Sequence, residues 1–567
     1  MFKGVNASDG IGIGVARVAV EPDLSFTPHA PADVEAEKAR YAAAITKFVE
    51  QTRAQIERMK QTVGEESAAI MGAHIEFAED DGIKDMVNGS ISAGMCAEQA
   101  VCDAYDTYYT MFSQMEDELF RERAADVADV KTGLLADLLG KEVVDLSTLP
   151  ENSIIVVHEL TPSMTADIDK NNVAGIVTET GGRTSHSAII ARALEIPAVL
   201  SVADVTLNIK NGDKVIVDGA HGHVIANPAG DELATYEAKA KQYAEEKQAL
   251  EAYRGKPTVT ADGEKVMLVA NIGNPDDANI AAEHDTEGIG LFRSEFLFMD
   301  APELPSEDSQ FSAYQKVALR MKGMPVIIRT LDVGGDKEIP YLNMQKEENP
   351  FMGFRAIRYC LNNPDQYKVQ LRALLRASAF GDVKIMLPLV TSITEVREAR
   401  ALVEQCKDEL RREGIQFNEN IEVGTMIETP AASLIADDLA QECDFFSIGT
   451  NDLIGYTMCA DRGNDRVGYL YEVYQPAVLR SLKRVITEGR RAGIMVGMCG
   501  EVAADPLMVP VLLSFGLSEF SVSAPSILRT RRIISMWTKT EADELTEKIM
   551  SLKTAAEVRE ALQAAMR

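Results

Sequence analysis

The sequence predicts a multidomain α/β protein: a helical bundle inserted into a small α/β domain, then a linker helix, then a C-terminal (β/α)8 barrel. Three observations carry this. A proline-free stretch from 33 to 140 keeps a helical apolar period, and short β-branched runs between 150 and 220 alternate with helical or turn-rich segments. Eight apolar runs then alternate with helical patterns over about 310 residues. The length agrees, since 567 residues exceed one core at roughly 150 residues per domain.

Composition narrows the class. Hydrophobic residues at 46% and charged residues at 26% are those of a folded chain rather than a disordered one. Fifty-seven Lys and Arg stand against 88 Asp and Glu, and a formal charge of -31 would be repelled by a phosphate backbone or an anionic membrane. Nucleic acid is therefore not expected as a partner, and neither is membrane insertion. A basic protein partner, or an anionic substrate drawn into a local cationic pocket, is compatible. Residues 1–20 have no sustained apolar segment and no window is long enough for a span, so a cytoplasmic protein is expected. Seven cysteines (Cys96, Cys102, Cys360, Cys406, Cys443, Cys459, Cys499) form no CxxC pair and read as free thiols in a reducing compartment.

Taken in order, Gly10, Gly12 and Gly14 superficially resemble a dinucleotide loop, but no strand precedes them and 15–20 itself reads as a strand. Residues 1–20 are expected to join 144–230 in one α/β domain, with 21–143 inserted as helices. In 33–63 the positions Tyr41, Ile45, Phe48, Val49, Ile56, Met59 and Val63 mostly follow three- and four-residue steps. Residues 74–85 carry five carboxylates against one Lys, which suits either a solvated helix face or a surface receiving a basic partner. After Pro150 the strands are expected at 154–157, 173–177, 198–202 and 215–217. Residues 231–256 carry cap, helix and stop signals, with Leu233, Tyr236, Tyr243, Leu250 and Tyr253 on a thin stripe, as in a connector between domains. From 257 to 567 the runs near 266–271, 288–292, 325–329, 384–390, 421–427, 444–449, 494–498 and 519–523 are the barrel strands. Arg293, Arg329, Asp332, Glu428, Asn451, Asp452 and Cys499 all fall at or just past a strand end, the chemical face of such a barrel. An open doubly wound sheet is the alternative.

One further segment carries chemistry. Residues 173–179 read as a strand, 180–183 as a loop, and 184–194 as a helix beginning beside His186. The macrodipole at a helix start disfavours imidazolium, leaving a neutral nucleophilic ring, and the free amides there welcome a phosphoryl group. Gly181 and Gly182 permit close backbone approach, Arg183 can pair with phosphate oxygens, and Thr165, Thr184 and Ser185 supply hydroxyls. A first-turn histidine that merely caps its helix is the plainer reading of the same residue.

Gly181-Gly-Arg-Thr-Ser-His-Ser-Ala-Ile-Ile-Ala-Arg closely resembles the phosphohistidine segment of the phosphoenolpyruvate-utilising enzymes. The stretches beginning Gly290-Leu-Phe-Arg-Ser-Glu, Arg329-Thr-Leu-Asp-Val-Gly-Gly-Asp-Lys, Glu348-Asn-Pro-Phe-Met-Gly-Phe-Arg, Ile427-Glu-Thr-Pro-Ala, Gly449-Thr-Asn-Asp-Leu and Gly497-Met-Cys-Gly-Glu resemble that family's barrel motifs in order. The whole-chain layout is similar to the enzyme I group of the bacterial sugar phosphotransferase system.

The resemblance implies a TIM barrel at 257–567 that binds phosphoenolpyruvate and magnesium. It also implies a phosphohistidine at His186 on the α/β domain, oriented by Thr165, Arg183 and Thr184, and a helical domain at 21–143 that receives a histidine-containing phosphocarrier protein. Glu428 and Asp452 match the magnesium ligands, and hard carboxylate oxygens suit that ion. Arg293, Arg329, Arg355 and Arg462 match the clamp on phosphate and carboxylate, for which planar guanidinium forks are suited. Asn451, Asp452 and Lys337 match further substrate contacts, and Cys499 matches the acid that protonates the methylene carbon as pyruvate forms. Homodimerisation through the barrel is implied as well. Gly455 and 474–476 depart from the family's pattern, which touches local loop geometry but no implied ligand.

Two rivals remain. Relatives that also use ATP would need a large additional module, and no GxxxxGK[ST] loop occurs in the sequence. A silent scaffold relative would not be expected to keep His186, Cys499, Glu428, Asp452 and all four arginines. A nitrogen-pathway paralogue would be expected to add an N-terminal sensory domain before the α/β domain.

Overall fold

The computed structural model describes residues 1–19, 24–62, 71–113, 118–141, 146, 149–160, 164, 168–182, 186–299, 301, 303–334, 339–342, 344–345, 347–461 and 464–566. The chain divides into two compact units, Met1–Lys247 and Gln248–Arg567.

The first unit is built on an eight-stranded sheet of order β1-β8-β7-β3-β4-β5-β6-β2. Its strands are β1 (Phe2–Lys3), β2 (Val5–Ser8), β3 (Ile11–Val18), β4 (Ser153–Val157), β5 (Val173–Thr178), β6 (Ala198–Leu200), β7 (Lys214–Asp218) and β8 (His223–Ala226). Where one opening strand is expected from sequence, the structure has three. Gly12 and Gly14 lie within β3, which pairs antiparallel with β7 on one side and parallel with β4 on the other, so they form no nucleotide loop. Ile154, Ile155, Val156, Ile176, Val177, Val215 and Val217 are buried in the two cores on either face of this sheet.

β3 and β4 are neighbours in the sheet although more than a hundred residues separate them, and the helical bundle fills that interval. Its helices are α1 (Val34–Thr62), α2 (Gly72–Glu79), α3 (Asp81–Ser92), α4 (Ala97–Ser113) and α5 (Glu118–Leu139). Asp33 caps α1 by accepting from the amides of Glu35 and Ala36, and Tyr41, Ile45 and Val49 turn inward at the expected helical spacing. The acidic stretch is broken by Asp80, which accepts from the Ile83 amide and starts α3. His74, Ala78 and Ile83 face the core while Glu76, Glu79, Asp80, Asp81 and Asp85 are exposed. The predicted linker is helix α6 (Gly230–Glu251). Its first turns are not a loose connector, because Tyr236 packs on Ile216 and Ile225 of the sheet with Leu233 beside it.

The second unit is a closed parallel barrel of β9 (Met267–Ile272), β10 (Ile289–Arg293), β11 (Pro325–Arg329), β12 (Asp382–Leu387), β13 (Val423–Ile427), β14 (Phe445–Ile448), β15 (Met495–Met498) and β16 (Glu519–Ser523), with β16 returning to β9. These eight match the sequence-predicted runs, and closure excludes the open sheet. Leu291, Ile327, Met386, Met426, Phe445 and Cys499 fill the barrel interior. All seven cysteines are free. Among the described residues no helix is long and apolar enough to cross a membrane.

Candidate active site

The barrel delivers charged side chains at the C-terminal ends of its strands. Arg293 closes β10, Arg329 closes β11, and the two are register partners. Arg329 is buried, and its Nη2 donates to Glu295 Oε1 from the short helix Glu295–Met299 and lies 3.2 Å from Asp332 Oδ2. Arg355, on the long loop after β11, is 3% exposed; its Nη2 donates to Asp332 Oδ1 at 2.8 Å and to Asp452 Oδ2 at 3.4 Å, and its guanidinium carbon lies 5.8 Å from the centre of the Phe351 ring. Asp332 thus sits between two guanidinium groups. Burial alone would disfavour charge on both arginines, but Glu295 and Asp332 around Arg329, and Asp332 and Asp452 around Arg355, outweigh it and raise both pKa values.

Glu428 follows β13, is 3% exposed, and accepts from the Leu389 amide at 2.6 Å. Burial first, then the neighbouring carboxylates of Asp452 and Asp332, push its pKa up, while Arg329 and Arg355 pull it back. Asp452 stands in the first turn of the helix Thr450–Met458 after β14, the strand beside β13, so two hard oxygen donors come from adjacent strand ends. Asn451 occupies the same turn, with its carbonyl accepting from the Tyr471 hydroxyl at 2.9 Å. This turn is interlocked with the loop after β15: a Cβ on Gly500 would stand 1.7 Å from Thr450 Oγ1. Only glycine at 500 allows that approach.

Cys499 follows β15, is 4% exposed, and its Sγ donates to the Ile448 carbonyl at 3.7 Å. Burial pushes the thiol up to about 11 despite the opposing pull of Ser447, Arg329 and Arg293, so it carries its proton through neutral pH. Arg293, Arg329, Arg355, Glu428, Asp452 and Cys499 are therefore brought into one electrostatic cluster, with Asn451 at its edge. Lys337 and Arg462 lie outside the described residues. Glu295 is the member that sequence reasoning passes over, and its signal is a carboxylate two residues beyond a strand-ending arginine. At the two departures from the family's pattern, a Cβ on Gly455 would stand 3.3 Å from the Ala460 carbonyl oxygen, and the Tyr474 hydroxyl donates to Asp505 at 2.7 Å.

In the first unit, His186 opens the helix His186–Ala193 as expected; its side chain, with Thr165, Arg183 and Thr184, lies outside the described residues. The frame around that helix is defined. Ser187 Oγ donates to the Leu160 carbonyl at 3.0 Å, and Ser201 Oγ donates to the Gly181 carbonyl at 2.6 Å. Glu179, at the end of β5, lies 2.6 Å from His158 Nδ1 and accepts from the Thr206 amide, partners that lower its pKa. Gly181 adopts φ +103°, a conformation open to glycine.

Three family profiles match the chain: "PEP-utilising enzyme, N-terminal" over residues 3–123, "PEP-utilising enzyme, mobile domain" over 149–222, and "PEP-utilising enzyme, PEP-binding domain" over 247–538. The chain is 48% identical over 558 residues to a phosphoenolpyruvate-protein phosphotransferase of Bacillus sp. (strain S), covering 98% of this chain and 96% of that one. It is 46% identical over 558 residues to the Bacillus subtilis (strain 168) protein of the same name, covering 98% of each. A solution structure of an Enzyme I protein, 37% identical, covers 43% of this chain and 100% of its own at a TM-score of 0.39. With three matched profiles spread along its length and relatives this similar over 98% of its residues, the chain belongs to the family of phosphoenolpyruvate-utilising enzymes.

Proposed function

We propose that the chain moves the phosphoryl group of phosphoenolpyruvate to His186 and from there to the histidine of a small phosphocarrier protein of the sugar phosphotransferase system, releasing pyruvate. The observation that carries this reading is the buried arginine and carboxylate cluster over Cys499 at the barrel mouth. The names of the relatives support the same reaction.

Arg293, Arg329 and Arg355, with Arg462 and Lys337, clamp the substrate's phosphate and carboxylate, and Asn451 adds a polar contact. Glu428 and Asp452 fit magnesium, because the donor set is hard oxygen from adjacent strand ends and the repulsion of Asp452 and Asp332 adds to burial in holding the Glu428 carboxyl up, a repulsion that a cation held there would relieve. When bound, it supplies charge neutralisation at the phosphate oxygens. His186 attacks phosphorus, the bond from phosphorus to the enol oxygen breaks, and Cys499 gives its proton to the methylene carbon of the enolate to form pyruvate. Thr165, Arg183 and Thr184 orient the imidazole and receive the phosphoryl group.

Residues 1–20 and 144–230 carry the nucleophile in this reading, and 231–256 is the pivot that lets it serve the barrel and the carrier in turn. Residues 21–143 receive the carrier, supported by the exposed carboxylates at Glu76, Glu79, Asp80, Asp81 and Asp85. A cytoplasmic homodimer joined through the barrel is the family expectation. Incubation with phosphoenolpyruvate and magnesium followed by intact mass tests the core claim: one acid-labile phosphoryl group is expected, absent from His186→Ala. An undiminished adduct in that variant overturns it.

A further inference from the structure

The helix Thr450–Met458 carries a second group to Arg355 besides Asp452. Asp452 and Tyr456 stand four residues apart, so they share one face of that helix. The Tyr456 hydroxyl accepts from Arg355 Nη1 at 3.5 Å, and Asp452 Oδ2 accepts from Arg355 Nη2 at 3.4 Å. The same hydroxyl donates to the Phe351 carbonyl in the 3-10 turn Pro350–Met352. A phenol has one proton to give, and with that proton spent on Phe351 the oxygen presents its lone pairs to Arg355. Burial pushes Tyr456 up to about 12, so the hydroxyl keeps its proton through neutral pH.

The backbone that bears Arg355 is held in place against its own preference. Ala356, the next residue, has φ +52°, a region that a side chain with a Cβ avoids, and its amide donates to the Val333 carbonyl at 3.2 Å. Gly334 lies against Arg355, since a Cβ on it would stand 2.6 Å from Arg355 Cβ. Such strain persists only where the surroundings over-determine it. These contacts fix where the side chain starts, but not the plane of its guanidinium. Asp332 and Asp452 both take Nη2, and a group held at one nitrogen still pivots about it. The Tyr456 contact at Nη1 is a second anchor, and the Phe351 ring stands 5.8 Å from the guanidinium carbon. Bidentate recognition of a carboxylate or phosphate depends on that plane, because the two N–H bonds must run parallel to the two oxygens.

We propose that Tyr456 is a positioning residue for phosphoenolpyruvate: its hydroxyl ties the helix bearing Asn451 and Asp452 to the Phe351 turn and fixes the plane of the Arg355 guanidinium that clamps the substrate. This rests on the reading of Arg355 as part of that clamp. Tyr456 acts on the substrate only through Arg355. Its hydroxyl is therefore worth as much as the alignment of that one guanidinium, and is worth nothing once the planar fork is gone.

Full-length Tyr456→Phe keeps the ring and loses the hydroxyl. In steady-state turnover with magnesium and phosphocarrier protein, its KM for phosphoenolpyruvate is expected to rise about tenfold, the low end for a bond to a charged group because the contact is long, with kcat within about twofold of wild type. The same substitution made on Arg355→Lys is expected to change kcat/KM by less than about twofold, since the fork it aligns is already absent. A residue that only holds the fold together would lower the urea midpoint and leave both of these readouts where they were. An unchanged KM in Tyr456→Phe, a loss that falls on kcat instead, or a full tenfold loss repeated on the lysine background overturns the assignment. Arg355→Lys separates the two levels. Wild-type kcat/KM there refutes the clamp itself, whereas a low value there beside a wild-type Tyr456→Phe refutes only the positioning role.

Discussion

Arg355→Met removes the charge that joins two loops of the barrel mouth while keeping most of the side chain's length. Arg355 is 3% exposed and bonds Asp332 at 2.8 Å and Asp452 at 3.4 Å. Breaking a buried pair by removing one partner costs roughly 3–5 kcal/mol. Asp332 keeps Arg329 at 3.2 Å, and Asp452, whose side chain is 18% exposed, keeps access to water, so the expected loss lies at the low end, about 3 kcal/mol. The assay is specific, because the one tryptophan in the sequence, Trp537, is buried in the barrel unit, and its fluorescence in urea reports on that unit. On activity, a lost charge-assisted bond of about 1.5–3 kcal/mol means a fall of roughly ten- to a hundredfold in kcat/KM for phosphoenolpyruvate. Arg355→Lys should recover part of the stability but little of the activity, since an ammonium cannot present a planar fork. A stability loss below about 1 kcal/mol in the methionine variant together with an unchanged kcat/KM would refute the cluster as a mutually held site.

Glu428→Ala or Asp452→Ala should abolish magnesium-dependent phosphotransfer with the Trp537 transition preserved; normal rates in excess chelator would remove the metal role. Cys499→Ala should slow pyruvate formation far more than it weakens substrate binding, and an alanine variant with equal loss in both would return the thiol to packing alone. Glu519 makes a pH prediction of definite sign. Its carboxyl is raised from 4.5 to about 7, so between those values the folded barrel holds a proton that the unfolded chain has released. The stabilisation, about 3 kcal/mol, is fully present below the unfolded value and lost as pH rises through the folded one. Urea midpoints read through Trp537 should fall over that window, and Glu519→Gln should flatten the slope; an unchanged slope would show that Glu519 is ionised when folded.

Much of this protein is determined locally. The strands at 325–329 and 519–523 are legible residue for residue, because β-branched runs bounded by turns need no distant partner to be recognised. Helix α1 follows from its capping Asp33 and the inward spacing of Tyr41, Ile45 and Val49. The chemistry of the mouth is likewise readable, since Arg293 and Arg329 close strands, Glu428 and Cys499 directly follow them, and in a parallel barrel every strand ends on the same side. Only the tertiary structure decides that Phe2–Lys3 pairs with β8, that Tyr236 anchors the linker helix on the sheet, and that Glu295 grips Arg329. The same holds for Glu519, which in sequence is one carboxylate among 88 and in the barrel is alone over a glycine of the neighbouring strand. The physical reason is range: periodicity and capping act within a few residues, whereas register and burial are set by which strands meet, and those meetings join positions hundreds of residues apart.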